Sequence, residues 1–289
     1  MLRALIVSVF SAIAVFFFGT AIGSFLNVLA SRYSEKTGFK KAFKGRSKCD
    51  QCKKTLRWYE LVPILSYLFL LGKCRSCKKP IPWQYTLVEL LAGFLALGVF
   101  IKLGAAPLAL IWTTVLWALL LMSVIDIRLK IIPDTLVVLI LILSVGKLIY
   151  QDIANLNTYI QTQKGVDLLG HYSILATSQN ALINYVIAIL VGIALFGGIY
   201  YFSRGKAMGL GDVKLVGALG FLIAWPDIIV ALIMPFLIGS AVGVPLILSK
   251  KLKFKSSIPF GPYIAIGVIL TFFFGYNIVN AYFEVFNFI

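Results

Sequence analysis

The sequence predicts an all-α protein that crosses a membrane many times, and three features of the chain support this fold class. Hydrophobic residues make up 60% of the 289 residues and the mean hydropathy is +0.95, whereas soluble domains are about 45–50% apolar. Charged residues make up only 13% of the chain, about half their usual share. Several apolar runs are as long as the roughly 20 residues that a helix needs to cross a bilayer.

Eight apolar runs predict about eight transmembrane helices, with boundaries defined to within a few residues. They cover approximately residues 5–30, 84–101, 106–125, 134–150, 181–202, 212–225, 228–249 and 259–284. The sixth run is the shortest and is the weakest candidate for a full span. The first run lacks a small-residue cleavage site after a short apolar core, so we expect a retained span rather than a removed signal peptide.

The positive charges are concentrated in four segments. Residues 31–85 carry 14 Lys or Arg, and residues 126–133, 203–214 and 249–258 carry 2, 3 and 4 more, which gives 23 of the 27 in the chain. Eight spans with the N-terminus outside place all four segments on one side, and positively charged loops stay in the cytoplasm. Basic proteins also bind nucleic acid, but membrane topology already accounts for the excess, so we expect the lipid bilayer and no nucleic acid as a partner.

The predicted organisation is a first transmembrane helix at 1–30, a cytoplasmic lobe at 31–85 and a transmembrane core at 86–289. All four cysteines fall in the lobe, as Cys49-x2-Cys52 and Cys74-x2-Cys77 separated by 21 residues. Paired CxxC elements at this separation are typical of a tetrahedral four-thiolate zinc site. Structural disulfides are disfavoured in a reducing cytoplasm. Two redox-active CxxC pairs are the remaining alternative to a zinc site. Four protein ligands leave no position for water, so we expect the metal to be structural.

The apolar, aromatic stretch 58–67 lies between the two CxxC elements. It fits the lobe's own core, a segment resting at the membrane surface, or a mixture of both. The polar outer loop 151–180 contains the only histidine, His171, which we interpret as solvated. With no histidine near the cytoplasmic face, Ser-His and Cys-His nucleophile systems are not available there.

Asp126 is one of two aspartates that begin or end an apolar run. An ionisable group at membrane depth costs roughly 2.5–3.5 kcal/mol on insertion scales and is a functional-site hypothesis by default. Asp126 ends its span, where the helix dipole disfavours an anion, although Arg128 or Lys130 could form an ordinary ion pair with it. Asp134 follows Pro133 in the predicted first turn of the next span, where a capping role explains it.

Asp212 is the second aspartate, and it opens the sixth run in the sequence Gly209-Leu210-Gly211-Asp212. The two glycines permit close approach of another backbone, which an extended peptide substrate would need because its freed backbone groups require partners. Alternatively, Asp212 caps its own helix, or Lys214 neutralises it. Two carboxyl groups that share one proton are a standard means of activating water, so the pair indicates an intramembrane or membrane-surface aspartyl protease.

These motifs resemble those of the type IV prepilin leader peptidases, which are bifunctional N-methyltransferases of the GxGD aspartyl protease group. The match includes Gly23-Ser24-Phe25-Leu26-Asn27-Val28, Arg32, the four cysteines, residues 58–63, residues 87–91, Asp126 with Ile132-Pro133-Asp134, residues 209–215 and Ile258-Pro259-Phe260-Gly261-Pro262. The chain departs from the family at Arg32-Tyr33-Ser34, where an Arg-x-Pro is frequent.

The resemblance implies that Asp126 and Asp212 are catalytic and that Gly209, Gly211, Pro133, Asp134 and Lys214 support them. It also implies a bacterial inner-membrane enzyme that removes the leader peptide of prepilins or pseudopilins at the cytoplasmic face. The new N-terminus is then methylated from S-adenosylmethionine, and the candidate residues for this step are Gly23, Ser24, Asn27 and Glu89. For each of these residues, helix packing, an interhelical hydrogen bond or an ion pair is the alternative.

Two other classes of function remain open from the sequence. A transporter would use intramembrane acids to bind protons or cations, but it predicts inverted repeats, which we do not find. A Ser-Lys protease would use a pair such as Ser123 and Lys130, and it predicts that the aspartates tolerate asparagine.

Overall fold

A computed structural model describes residues 2–40, 42–43, 45–153, 181–250 and 258–285. These residues divide into two compact units, Met1–Ile125 and Asp126–Ile289. The described regular structure is helical, apart from three isolated β-bridges in the segment between the first two long helices. The predicted all-α class is therefore confirmed. His171, most of the loop 151–180 and most of the basic segment 249–258 lie outside the described residues.

The first unit contains α1 (Leu2–Arg32), the short helix α2 (Leu65–Phe69), α3 (Gln84–Leu103) and most of α4 (Pro107–Leu129). Helices α1 and α3 pack closely because glycines remove side chains from their interface. A Cβ on Gly19 would lie 2.8 Å from the carbonyl oxygen of Ala92, and a Cβ on Gly93 would lie 2.7 Å from Cγ2 of Thr20. The residues between α1 and α3 form a lobe of turns and short helical segments, which we call the cysteine lobe (residues 33–83).

The second unit contains α5 (Asp134–Ile153), α6 (Ala181–Ser203), α7 (Leu210–Ile223), α8 (Ile228–Leu248) and α9 (Gly261–Val285). Helix α7 packs against α5 and α6, and α8 packs against α9. Gly220 allows the close contact of α7 with α6, because a Cβ there would lie 2.8 Å from Cα of Ile189.

Seven of the described helices are long and apolar enough to cross a membrane, namely α1, α3, α4, α5, α6, α8 and α9. They match the predicted runs within a few residues, because a continuous apolar stretch of about 20 residues has few other stable locations. The exception is the sixth run, where α7 has only 14 residues. At 1.5 Å per residue it is about 21 Å long, which is shorter than the roughly 30 Å hydrocarbon core.

A buried lysine caps the C-terminal end of α7. Ala224 has a left-handed backbone (φ +62°), and its N–H donates to the carbonyl of Gly220. Lys147 of α5 is buried and donates from Nζ to the carbonyl oxygen of Leu222 at 2.6 Å. The last carbonyl groups of a helix have no partner within the helix, so this lysine satisfies one where water is scarce.

Candidate active site and candidate metal centre

Asp126 lies in the last turn of α4 and is the first residue of the second unit. Its side chain is only 4% exposed, and Oδ2 accepts a hydrogen bond of 2.9 Å from the backbone N–H of Gly261. Gly261 is the first residue of α9, so the carboxyl group faces the positive end of that helix dipole. This contact offsets the unfavourable dipole of its own helix.

Gly261 is the residue whose importance the sequence prediction missed. A Cβ at this position would lie 2.8 Å from Oδ2 and 3.3 Å from Cγ of Asp126, so any side chain would displace the carboxyl group. The available signal was the segment Ile258–Pro262, which carried part of the family resemblance but was not connected with Asp126. The two residues are 135 positions apart, and no local pattern reports that contact.

Asp212 is the third residue of α7, which begins at Leu210 rather than at the aspartate. The side chain is 8% exposed, and Oδ2 accepts a hydrogen bond of 3.1 Å from the backbone N–H of Gly209. Asp212 therefore does cap its own helix, as one sequence interpretation proposed, but from inside the first turn and with one oxygen.

The two aspartates share a similar arrangement. In each case Oδ2 is held by a backbone N–H, and the structure shows no hydrogen-bond partner for Oδ1 among the described residues. The two carboxyl groups lie close enough for the charge on Asp126 to act on Asp212, and the positive charge of Lys130 acts on Asp126. The site therefore fixes both carboxyl groups while leaving one oxygen on each for another molecule.

Gly211 brings the segment after α4 against α7. A Cβ on Gly211 would lie 2.9 Å from Cβ of Ile132, so only glycine permits this approach. The carbonyl of Pro133 accepts hydrogen bonds from the N–H groups of Leu136 and Val137 at the start of α5. Gly209 precedes α7 in an extended conformation.

Lys214 does not neutralise Asp212, which corrects one sequence interpretation. Its Nζ donates to both carboxylate oxygens of Asp134, at 2.9 and 3.1 Å. The side chains of Lys214 and Asp134 are 46% and 68% exposed. Asp134 lies in the first turn of α5, as predicted, and the pair links that turn to the first turns of α7. Ser123, considered as a nucleophile, donates from Oγ to the carbonyl of Leu119 in its own helix at 2.8 Å.

The four residues predicted for methyl transfer lie where α1 and α3 meet in the first unit. Gly23 packs against α3, since its Cβ would lie 2.7 Å from Cα of Glu89. Asn27 donates from Nδ2 to the carbonyl of Tyr85 at 2.9 Å, which is an interhelical hydrogen bond. Glu89 is buried, and its Oε2 accepts a hydrogen bond from the backbone N–H of Ile64 at 2.8 Å. Glu89 is thus bonded to a neutral group rather than to the Lys or Arg considered from the sequence.

A cavity of about 470 Å³ lies beside these residues and is lined by Ser24, Asn27, Glu89 and Tyr85 together with residues of the cysteine lobe. Its volume falls within the range of about 300–1,000 Å³ that is common for small-molecule sites. Oδ1 of Asn27 is buried and has no hydrogen-bond partner among the described residues. An unpaired buried acceptor costs about 1–3 kcal/mol, so a donor from a bound molecule or water would stabilise the site.

The four cysteines converge in the lobe. Their sulfur atoms all lie within 4.8 Å of one another, and the Sγ atoms of Cys49 and Cys77 are 4.0 Å apart. A zinc ion with Zn–S bonds of about 2.3 Å places tetrahedral sulfurs about 3.8 Å apart, so the cluster could hold a metal ion of this kind.

The two CxxC elements have the same backbone conformation. In the first, the N–H of Cys49 donates to the carbonyl of Lys54, and Lys53 has a left-handed backbone; in the second, Cys74 and Lys79 form the matching bond, and Lys78 is left-handed. The backbone N–H groups of Cys77 and Ser76 lower the pKa of the Cys74 thiol to about 7, which favours the thiolate that binds metals.

A membrane protein with two buried, backbone-fixed carboxyl groups close to one another has the constellation of a membrane aspartyl protease. Comparison with known families agrees. Residues 17–103 match the model of the bacterial peptidase A24 N-terminal domain, and residues 113–244 match the model of the type IV leader peptidase family.

Related proteins extend this match to nearly the whole chain. The chain is 31% identical to a prepilin leader peptidase/N-methyltransferase of Burkholderia pseudomallei, covering 89% of this chain and 83% of that protein. It is 31% identical to the protein of the same name from Aeromonas hydrophila, covering 93% and 92%. It is 28% identical to that from Bacillus subtilis, covering 92% and 96%. No solved structure matches the chain. The chain belongs to the type IV prepilin leader peptidase family, and the resemblance seen in the sequence is confirmed.

Proposed function

We propose that this protein cleaves the leader peptide from type IV prepilins or pseudopilins, with Asp126 and Asp212 as the catalytic pair. The observation that carries the proposal is the matched state of the two carboxyl groups, each fixed through Oδ2 and each with Oδ1 unpartnered among the described residues. In the proposed mechanism, the attacking water molecule lies between the two Oδ1 atoms.

In this mechanism one aspartate is ionised and accepts a proton from the water, while the other is protonated and donates to the oxygen of the scissile carbonyl. The two groups titrate as a pair. Gly209, Gly211, Pro133, Asp134 and Lys214 support the pair by setting the starts of α5 and α7. The absence of a side chain at Gly209, next to Asp212, also leaves the backbone there approachable for an extended substrate, whereas the space at Gly211 is filled by Ile132.

The test of cleavage uses the whole protein and a prepilin. Co-expression with a prepilin, followed by size analysis and N-terminal sequencing, should give a shortened chain with one new N-terminus. No change in size with the intact enzyme, or normal processing by the Asp126→Asn or Asp212→Asn protein, would contradict the proposal.

We further propose that the first unit methylates the new N-terminus. S-adenosylmethionine supplies an electrophilic methyl group when bound. The cavity beside Ser24, Asn27 and Glu89 has a suitable volume, the acceptor Oδ1 of Asn27 needs a donor, and the Glu89 carboxylate can receive a proton from the amine. Gly23 keeps α1 close enough to α3 to form the cavity wall. Transfer of radiolabel from S-adenosylmethionine to a cleaved prepilin tests this step. If no label is transferred, the protein is a protease without methyltransferase activity.

The cysteine cluster is proposed as a structural zinc site with four protein ligands and no open position. The predicted division into a first span at 1–30, a zinc-binding lobe at 31–85 and a protease core at 86–289 stays a prediction, and the proposed methyl transfer places Glu89 and α3 with the first unit instead of with the protease core. The 14 Lys or Arg of residues 31–85 support a cytoplasmic location for the lobe, with the N-terminus outside. The same rule places the basic segment 249–258 on that side only if α7 also crosses the membrane, so the proposed topology includes α7 as a short span. Protease accessibility of the lobe in right-side-out and inverted vesicles tests the sidedness.

A further inference from the structure

The cysteine lobe exposes an apolar segment that neither cleavage nor methyl transfer explains. In the segment 61–71, which contains α2, Phe69 is 83% exposed and Leu71 is 84% exposed, and Leu65 and Leu68 are also exposed. Monomeric proteins rarely leave contiguous apolar surface of this kind uncovered.

A hydrogen bond fixes the depth of this segment relative to α3. The backbone N–H of Ile64, just before α2, donates to Oε2 of Glu89 at 2.8 Å. Helix α3 begins at Gln84 and is a candidate membrane span, so Cα of Glu89 lies about 7.5 Å along the helix from its start. Because helical side chains lean toward the N-terminus of their helix, the carboxylate lies somewhat nearer the membrane surface than its Cα.

This depth matches the position of interfacial helices, whose apolar side chains enter about 5–10 Å into the boundary between headgroups and acyl chains. Ile64 has a positive φ of +62°, which is rare for a β-branched residue. Trp58 and Trp83 flank the segment and are exposed, and tryptophan is enriched at the level of the headgroups.

The charges near the segment are basic. Exposed Lys73 follows Leu71 by two residues, and exposed Arg75, Lys78 and Lys79 come next in the chain. Basic side chains are attracted to the anionic headgroups of a membrane surface.

We infer that the segment 61–71 is an interfacial membrane anchor, which inserts Leu65, Leu68, Phe69 and Leu71 into the lipid leaflet at the N-terminal end of α3 and places Lys73 among anionic headgroups. The anchor holds the cysteine lobe against the membrane. It rests on the exposure of these side chains and on the Ile64–Glu89 contact, and not on the proposed catalytic roles.

The test places the photoreactive residue p-benzoylphenylalanine at position 69 of the full-length protein in vesicles that contain phosphatidylglycerol and phosphatidylcholine. Position 71 serves as a second site in case the first variant does not accumulate. Position 53, an exposed lysine in the first CxxC element, is the matched control. We expect lipid adducts at 69 and 71 and at least tenfold fewer at 53. Adducts at 69 and 71 to a second protein chain, or equal lipid labelling at all three positions, would overturn the anchor.

Two further variants test the contacts that define the anchor. Glu89→Gln keeps an acceptor for the Ile64 N–H and should keep the lipid adducts at 69, whereas Glu89→Ala should reduce them severalfold. Undiminished labelling in Glu89→Ala would overturn the role of Glu89 in setting depth. Phosphatidylglycerol should be over-represented among the adducts at 71, and Lys73→Gln should lower its share toward its mole fraction. Adducts that already follow the mole fraction in the unaltered protein would overturn the preference for anionic lipid.

Discussion

The two buried aspartates of the second unit and the four cysteines of the first unit are positioned by different kinds of structure. In the second unit, the two aspartates are positioned by backbone N–H groups at the starts of α7 and α9, so the helices themselves define the geometry. In the first unit, the cysteine lobe has little regular secondary structure among its described residues, and two matching CxxC turns bring four sulfurs together. The contrast teaches that helix ends define the aspartate site, while turns in the lobe gather four sulfur atoms that could hold a metal ion.

The largest effect should come from the aspartates. Asp126→Asn and Asp212→Asn should each reduce cleavage on the order of 10⁴-fold, as loss of a catalytic group does in other proteases, because an amide cannot exchange the proton. Methyl transfer to a peptide that is already cleaved should persist, since it belongs to the other unit. Asp134→Asn is the matched control at an exposed carboxyl group and should retain cleavage. Gel analysis of prepilin processing measures cleavage, and radiolabel from S-adenosylmethionine measures methyl transfer. Loss of both activities in an aspartate variant would contradict their assignment to separate units.

Metal removal should affect the first unit selectively. Paired Cys49→Ser and Cys52→Ser substitutions, or a strong chelator, should eliminate bound zinc and methyl transfer, because metal binding supplies much of the folding free energy of small zinc lobes. Cleavage should decrease less than methyl transfer. Ser76→Ala, between two of the cysteines, is the control. Zinc content by mass spectrometry accompanies the assays, and full methyl transfer by a metal-free protein would contradict the structural role.

Metal loading should also depend on pH in a defined direction. Because the ligands are thiolates, protons compete with the ion, and the pKa of Cys74 is lowered to about 7. Desolvation and the neighbouring thiols raise the pKa of Cys77 to about 11, so the four ligands do not share one titration midpoint, and loading should decrease progressively as the pH falls. Zinc release followed with a colorimetric chelator between pH 8 and 5 measures the effect, and release that increased with rising pH would contradict it.

Gly261 should be more sensitive than another glycine of the same helix. A Cβ at Gly261 would lie 2.8 Å from Oδ2 of Asp126, whereas the nearest atom to a Cβ at Gly275 is Cγ2 of Thr271 at 3.6 Å. Gly261→Ala should reduce cleavage by about 100-fold, the effect of displacing a catalytic group by about 1 Å, while Gly275→Ala should be near normal. Equal rates for the two variants would show that α9 does not position Asp126.

The smallest effect should come from the pair formed by Asp134 and Lys214. Both side chains are largely exposed, and exposed ion pairs contribute about 0–1 kcal/mol. Lys214→Met should lower the free energy of unfolding by no more than about 1 kcal/mol, less at high salt, and should reduce cleavage only slightly. A double-mutant cycle with Asp134→Asn measures the coupling, and a large loss of cleavage with unchanged stability would assign Lys214 a direct catalytic role.

The membrane helices could be predicted from the sequence because length and apolar content define them locally, and the CxxC spacing similarly indicated the sulfur cluster. The contact between Gly261 and Asp126 could not, since it joins residues far apart in the chain and depends on a missing side chain. The hydrogen bond from the N–H of Ile64 to Glu89 could not be predicted either, because it joins residues 25 positions apart. Sequence proximity suggested Asp212 as one possible partner of Lys214, whereas the packing of α7 against α5 brings Asp134 to it.

The buried Lys147 that closes α7 has a consequence for how a substrate enters. Helices α5 and α7 are fastened near both ends, by Asp134 with Lys214 at one and by Lys147 with the carbonyl of Leu222 at the other. The exposed Asp134–Lys214 pair adds little to this connection, so helix packing and the buried Lys147 hydrogen bond should be what keeps α7, and with it Asp212, in a fixed position relative to α5. Entry of a substrate segment between the two carboxyl groups would then require movement of the C-terminal end of α4 or of α9. Movement of one relative to the other would break the hydrogen bond from the N–H of Gly261 to Asp126.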